Sequence, residues 1–434
     1  MNTREINRAL SIGAIDAKGV LPLAESIKKE PIIFKMQFGL DELPPEPGLI
    51  VIRGARQYGK STWLQQKIAH TVKTFAPGSA YYLNGDELGD ESDLIVSIRE
   101  LLPLFSPEAE VRRLFIDEIT AVENWQKGMK RLLDAGELQD VLVVTTGSKA
   151  ADLRRGSERL PGRKGKLDRT TYLFTPLAYG EFKKQCEERL QERVLPAYIL
   201  SGGSPVAGRE LAIHGRLPEY VVEMTRDWIY GEVAASGRQR SSLLGVMECL
   251  YRFGGTPVGQ AKLARETGLA NNTIAAGYIE LLKDLLCVSS AHPWDSGRER
   301  TIKRKPCKFH MTNLLAAVAW HPARVRSVDD FLNLPTNDRA YLTEWTVAQE
   351  IWRRAAIKGL DLPEELAFWQ SKSHELDFVL DRSTFVEVKI GSATPVDFSW
   401  FAKSFPQSNL MVVNQNRFTT RNIEGITLEN FLLS

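Results

Sequence analysis

Cysteine is scarce in this chain, with four in 434 residues (Cys186, Cys249, Cys287 and Cys307), far apart and without a CxxC pair. That spacing argues against a disulfide framework or a zinc ribbon and suits reduced thiols in a cytoplasmic protein. No apolar run reaches the length of a membrane span, so a partner membrane is not expected. The first thirty residues are charged throughout, which argues against a secretory leader. A charge excess is also missing: 56 Lys and Arg against 54 Asp and Glu leave +2, so the whole molecule is not marked as a polyanion binder. Repeats and low-complexity segments are lacking too. What is present is ordinary globular composition, 43% hydrophobic and 25% charged. The length, about three usual domains, predicts two to four cores in series.

Positive charge is instead local. Residues 154–169 (RRGSERLPGRKGKLDR) hold seven basic residues against two acids, and residues 298–308 (RERTIKRKPCK) hold six against one. Each run reads as a phosphate contact or as a solvated loop. After an N-terminal segment, 1–47, residues 48–175 alternate β-branched runs (GLIVIR, SAYYLN, RLFIDE, VLVVTT, TTYLFT) with helical patterns, the mark of a parallel sheet flanked by helices. Residues 176–238 read as a helical lid, broken at Gly202–Pro205. Residues 239–322 read as a winged helix, and 323–434 as a last α/β domain that opens on a helix and ends in alternating strands.

The sharpest motif is Gly54-Ala55-Arg56-Gln57-Tyr58-Gly59-Lys60-Ser61, a complete GxxxxGK[ST] between the strand LIVIR and the helix KSTWLQQKIAHTVK. Glycines let the main chain curl so that its N–H groups face phosphate oxygens. Lys60 neutralises the β/γ phosphates, and the Ser61 hydroxyl binds Mg²⁺, with Thr62 next in the first turn. ATP and Mg²⁺ are therefore the expected cofactors. Leu114-Phe115-Ile116-Asp117-Glu118 ends an apolar strand in two acids at the sheet's carboxyl edge. Asp117 would hold Mg²⁺; Glu118 would deprotonate the attacking water, or is a solvated residue after a strand. In VLVVTTGSKA, Thr146 and Ser148 are sensors of the γ-phosphate or part of a plain turn. Because SAYYLN intervenes in sequence between the lysine strand and the acid strand, the order suits an additional-strand P-loop ATPase core.

In the winged-helix region, Gly268-Leu269-Ala270 is a turn between two amphipathic helices, with Asn271 or Asn272 as a cap. Leu263, Ile274, Ile279, Leu282 and Leu285 should form its core. Asn271, Asn272 and Thr273 would face DNA and the run Arg298–Lys308 would be the wing on phosphates, unless the module is an interdomain clamp. Further on, Leu376, Phe378 and Leu380 alternate with charges, as do Val386, Val388 and Ile390. A hairpin with one buried face requires paired numbers with an even sum, 764 or 766 for a three-residue loop. Either register gathers Asp377, Glu387 and Lys389 on one face, an arrangement of D…ExK nucleases that binds a divalent ion, or else a salt-bridged polar face. His374 reads as a surface residue.

Taken in order, GARQYGKST, LFIDEI, TGS, LPGR with PLAYGEF, SGGSP, ELDFVLD and VEVKIG resemble the family of bacterial and archaeal AAA+-like ATPases with a C-terminal domain of unknown function (DUF4143) similar to PD-(D/E)XK nucleases. The resemblance covers nearly the full length. It implies an ATPase with lid, winged helix and restriction-endonuclease-like domain, acting on DNA, with homo-oligomerisation open. Arg163 matches the family's transition-state arginine, with Arg159 in reserve, or sits in an ordinary basic loop. Glu344 matches the family's helical acid and would complete a second metal shell. The family's aspartate after the wing is missing, since Met311-Thr312-Asn313 stands there. The competing implication is a nucleotide-dependent switch that binds a protein partner through an inactive nuclease fold.

Overall fold

Short runs of Val, Ile, Tyr and Phe separated by long connections favour parallel pairing, because a crossover must carry the chain back along the sheet. The computed structural model describes residues 2–147, 166–360, 363 and 365–434. In it the five runs become β1 (Gly48–Gly54), β2 (Ala80–Asn84), β3 (Arg113–Asp117), β4 (Leu142–Gly147) and β5 (Thr171–Phe174). They pair in parallel in the order β2-β3-β4-β1-β5. β4 therefore separates β1 from β3, while SAYYLN forms the edge. Helices Glu91–Leu101 and Trp125–Asp134 cover one face, burying Leu94, Ile98, Trp125 and Met129 against Tyr81, Leu114, Ile116 and Val143.

The N-terminal segment belongs to the same compact unit, Met1–Thr175 with Ala356–Gly359. An edge strand leaves main-chain groups unpaired. Helix Thr3–Ser11 meets this need at β2, where the Asn7 amide donates to Tyr82 O and accepts from Tyr82 N, both at 2.8 Å.

The second unit is Pro176–Ala355 with Leu360–Ser434. Its first helices are Tyr179–Leu190, Val194–Ser201, Pro205–His214 and Glu219–Ala235. The expected break is there: Gly202 ends one helix at φ 58°, and Ser204 caps the next. A Cβ at Gly202 would lie 2.2 Å from Leu315 N, so the close approach requires glycine. Helices Arg240–Arg252, Gln260–Glu266 and Asn272–Asp284 follow, then β6 (Val288–Asp295), β7 (Arg300–Thr301) and β8 (Lys308–Met311). Asn271 is the cap, its Oδ1 accepting from Ile274 N at 2.9 Å. Leu263, Ile279, Leu282 and Leu285 are buried as expected, but Ile274 is 41% exposed. It sits in the helix's first turn beside exposed Asn271–Thr273, before the inward face begins at Ala275 and Tyr278.

β9 (Glu365–Gln370) runs parallel to β6, so one sheet joins residues from both sides of position 322. The expected single hairpin is divided. β10 (Glu375–Leu376) pairs with β9, whereas β11 (Phe378–Val379) pairs with β12 (Thr384–Val388) in a sheet completed by β13 (Asn409–Val413), β14 (Phe418–Thr419) and β15 (Ile423–Ile426). Asp377 is where the chain passes between the two sheets. Phe378 opposite Val386 gives the sum 764, closed by Asp381–Ser383, with Asp381 Oδ1 accepting from Ser383 N and Thr384 N at 2.7 Å. The single-face premise fails, however. Phe385 and Val379 lie on the charged face and are buried with Phe398, Phe401 and Phe405, so both faces are covered. Leu380, expected inside, is 42% exposed, one residue beyond the paired β11.

Among the described residues no helix is long and apolar enough to cross a membrane. At the sheet's carboxyl edge, a Cβ on Gly85 would lie 2.3 Å from Glu118 O, so β2 and β3 can end side by side only with glycine there. Gly85→Ala should cost about 1–3 kcal/mol. Gly231→Ala, mid-helix with open space around its Cβ, should stabilise by about 0.5–1 kcal/mol. Denaturant midpoints of the two variants moving in the same direction would contradict this.

Candidate active site

The loop Gly54–Gly59 leaves β1 at its carboxyl end and enters helix Lys60–Phe75. Gly54 lies against β5, where a Cβ would come 2.7 Å from Phe174 Cβ. The turn needs left-handed backbone at Gly59 (φ 99°) and also at Gln57 (φ 65°), a conformation that costs a non-glycine residue free energy. Ala55 and Tyr58 are buried, Arg56 and Gln57 exposed, and Ser61 and Thr62 half-buried. This loop opens a helix whose first N–H groups lack intrahelical partners and whose dipole is positive at that end.

Lys60 turns back over the loop, its ammonium donating to Gly54 O at 3.0 Å and Ala55 O at 2.9 Å. Burial lowers its affinity for a proton, and the nearby Glu118 and Asp117 oppose that change. Asp117, at the end of β3, accepts hydrogen bonds from the Thr146 hydroxyl of β4 and from Ser61. Burial pushes its carboxyl above the usual range against these hydrogen bonds. Glu118 follows in left-handed backbone (φ 49°, ψ 46°), its N–H donating to Thr146 Oγ1 at 3.1 Å. Lys60, Ser61, Asp117, Glu118 and Thr146 are thus brought to one sheet edge. Ser61 and Asp117 supply hard oxygen donors of the kind Mg²⁺ takes, so the residues fit that ion. Ser148, Arg159 and Arg163 lie outside the described residues.

A second group forms in the other unit. Asp377 and Glu387 are 8% and 5% exposed, and Asp377 N donates to Glu387 Oε2 at 3.3 Å. Asp377 Oδ2 accepts from Val388 N at 2.9 Å, and Lys389 Nζ lies 2.5 Å from Glu387 Oε1. Glu344, on helix Thr336–Ile357, joins them across a cavity of about 760 Å³ also lined by Glu375, Lys389 and Trp400. His374 is exposed and stacks on Trp400, ring centroids 4.1 Å apart.

Two participants were not foreseen. Lys308, counted with the basic wing, is 1% exposed and lies 2.9 Å from Asp377, 2.5 Å from Glu375 and 3.7 Å from Glu344. His310, two residues along β8, meets Glu344 Oε1 at 2.9 Å. The available signal was the alternation in Cys307–Met311, which puts Lys308 and His310 on one face of a strand. One expectation is corrected as a result: Lys308 is buried on β8 and is not part of the exposed basic run of the wing. Among the described residues no group of three or more His, Cys, Asp or Glu could hold a metal ion. The cation among these carboxylates is an ammonium. Asn313 caps helix Leu314–Trp320 by accepting from Ala316 N at 3.0 Å.

Burial, reinforced by Asp377, raises the Glu387 carboxyl to about 8, against the opposing pull of Lys389 and Lys308. Between the ordinary 4.5 and this value the folded chain keeps a proton that the unfolded chain has released. Stability therefore falls as pH rises through that window. Glu387→Gln cannot ionise, so its thermal midpoint relative to wild type should shift upward by a few degrees between about pH 5.5 and about pH 8.5. An equal offset at both pH values would contradict the raised carboxyl.

Residues 46–183 match the family model of the AAA domain. Among solved structures, a Walker-type ATPase of Pyrococcus abyssi is 14% identical, with 74% of this chain and 95% of that chain covered at a TM-score of 0.42. The Orc1 protein of Aeropyrum pernix in complex with DNA is 13% identical, with 70% and 95% covered at 0.30. AMPPCP-bound DnaA from Aquifex aeolicus is 14% identical, with 61% and 86% covered at 0.27. No curated protein matches the chain. The match falls on the region that carries the phosphate-loop motif and the β2-β3-β4-β1-β5 sheet, so residues 46–183 are similar to an AAA domain.

Proposed function

We propose that the chain is a Mg²⁺-dependent ATPase whose nucleotide state governs DNA binding by its second unit. The observation that carries this reading is the meeting of Lys60, Ser61, Asp117, Glu118 and Thr146 where β1, β3 and β4 end. Main-chain N–H groups of residues 54–61 would receive phosphate oxygens, and Lys60 would place its charge on the β/γ bridge. Ser61 and Asp117 would hold Mg²⁺, which when bound supplies charge neutralisation to the leaving phosphate. Glu118 accepts the proton of the attacking water, Thr146 fixes the adjacent acid, and Ser148 and Arg163 are the remaining candidates for contact with the transferred phosphoryl group.

Support for a DNA partner comes from the module of helices Arg240–Arg252, Gln260–Glu266 and Asn272–Asp284 with β6–β8, read as a winged helix. Val258 N donates to Cys307 O at 2.8 Å, adding a bridge at the wing's base. Asn271, Asn272, Thr273 and Ile274 form an exposed helix start. In the wing, Arg298 pairs with Asp295 and Lys303 with Glu365, while Arg300, Arg304 and Lys305 remain exposed for phosphate. The two mixed sheets beyond are read as a nuclease-like fold. Lys308 among its carboxylates favours a second reading of that fold, as a binding element without cleavage chemistry.

Glu118→Gln should retain nucleotide binding while lowering ATP turnover by about 10²-fold or more, measured as phosphate release. Normal turnover would remove Glu118 from the water-activating role. Arg304→Ala with Lys305→Ala should reduce the slope of log affinity for duplex DNA against log salt by about 2. An unchanged slope would take the wing off the phosphates.

A further inference from the structure

The carboxylates of the second unit resemble the ligand set of a metal-dependent nuclease in their sequence spacing, yet the space between them already holds a cation. Lys308 leaves β8 toward Glu375, Asp377 and Glu344, and its ammonium offers three N–H donors to three acids. Its charge lies 5.4 Å from the Phe368 ring centroid, and only 1% of the residue reaches solvent. His310 beside it occupies Glu344, and Lys389 occupies the outer oxygen of Glu387. A divalent ion entering this group would meet a fixed like charge, and a displaced Lys308 would be a buried ammonium without partners. An ammonium also lacks what such an ion contributes, since it neither polarises a phosphoryl oxygen as a Lewis acid nor makes hydroxide from bound water.

We propose that Lys308 is the resident cation of the Glu344–Glu375–Asp377 cluster, standing where the D…ExK arrangement would take a divalent ion, so the second unit holds this site closed without metal. The cavity of about 760 Å³ then lies over a charge-balanced floor rather than a metal centre. The inference does not depend on the ATPase reading.

Mn²⁺ titrated into the nucleotide-free full chain, with free Mn²⁺ followed by electron paramagnetic resonance, tests it. Wild type and Asp377→Asn should bind equally little. Lys308→Met should gain one site at least about tenfold tighter than any in wild type, and Asp377→Asn added to it should remove that site. A wild-type site lost on Asp377→Asn would overturn the proposal. So would a Lys308→Met protein with wild-type circular dichroism and no gain in Mn²⁺ binding. If Lys308→Met does not fold, the comparison of wild type with Asp377→Asn decides alone.

Discussion

At the carboxyl edge of the first unit's sheet, two strands deliver a hydroxyl and a carboxylate to the same point. Thr146 ends β4 and Asp117 ends β3, and their hydrogen bond is possible because the sheet order places β4 next to β3 on one side and β1 on the other. That order lets the loop after β1 bring Ser61 to the same acid and Lys60 close to it. Hydrogen bonds and opposite charge offset part of the free energy of burying Asp117 and Lys60, which neither could sustain alone. The arrangement is maintained by the packing beneath it, from Tyr81 and Leu114 to Trp125 and Met129.

Two of the buried charged groups among the described residues solve the same electrostatic problem in different ways. In the first unit, Lys60 and Asp117 lie at the mouth of a loop whose main-chain donors are suited to an anionic ligand. In the second, Lys308, His310 and Lys389 sit directly on Asp377, Glu344 and Glu387. A pair of carboxylates buried between two sheets must find cations or protons. Lys308 supplies the former and the raised Glu387 carboxyl reflects the latter. One group is therefore arranged toward a ligand, and the other is largely satisfied by its own side chains.

Much of the first unit was legible because its signals are local. Five β-branched runs, a glycine-bounded loop before a helix and two acids ending a strand each reveal themselves within a few residues. For Phe378 opposite Val386 only the even sum was legible; parity left 764 and 766 open, and its premise of one buried face did not hold. What could not be read was the covering layer: alternation in one strand says nothing of Phe398, Phe401 and Phe405, which bury the face that holds Asp377 and Glu387. Lys308 was misread for a related reason. Its neighbours Lys303, Arg304 and Lys305 made it look like part of a solvated run, while its position on β8 turned it inward. Ile274 shows the reverse, an apolar residue placed by periodicity in the core but standing at an exposed helix start.

Calorimetric titration of Mg²⁺–ATP into the full chain tests the central claim most directly. A single site, lost when Lys60 is replaced by alanine in protein of unchanged fold, is the predicted result. Equal heats for both proteins, or none for folded wild type, would contradict the assignment of residues 54–61 as the triphosphate cradle.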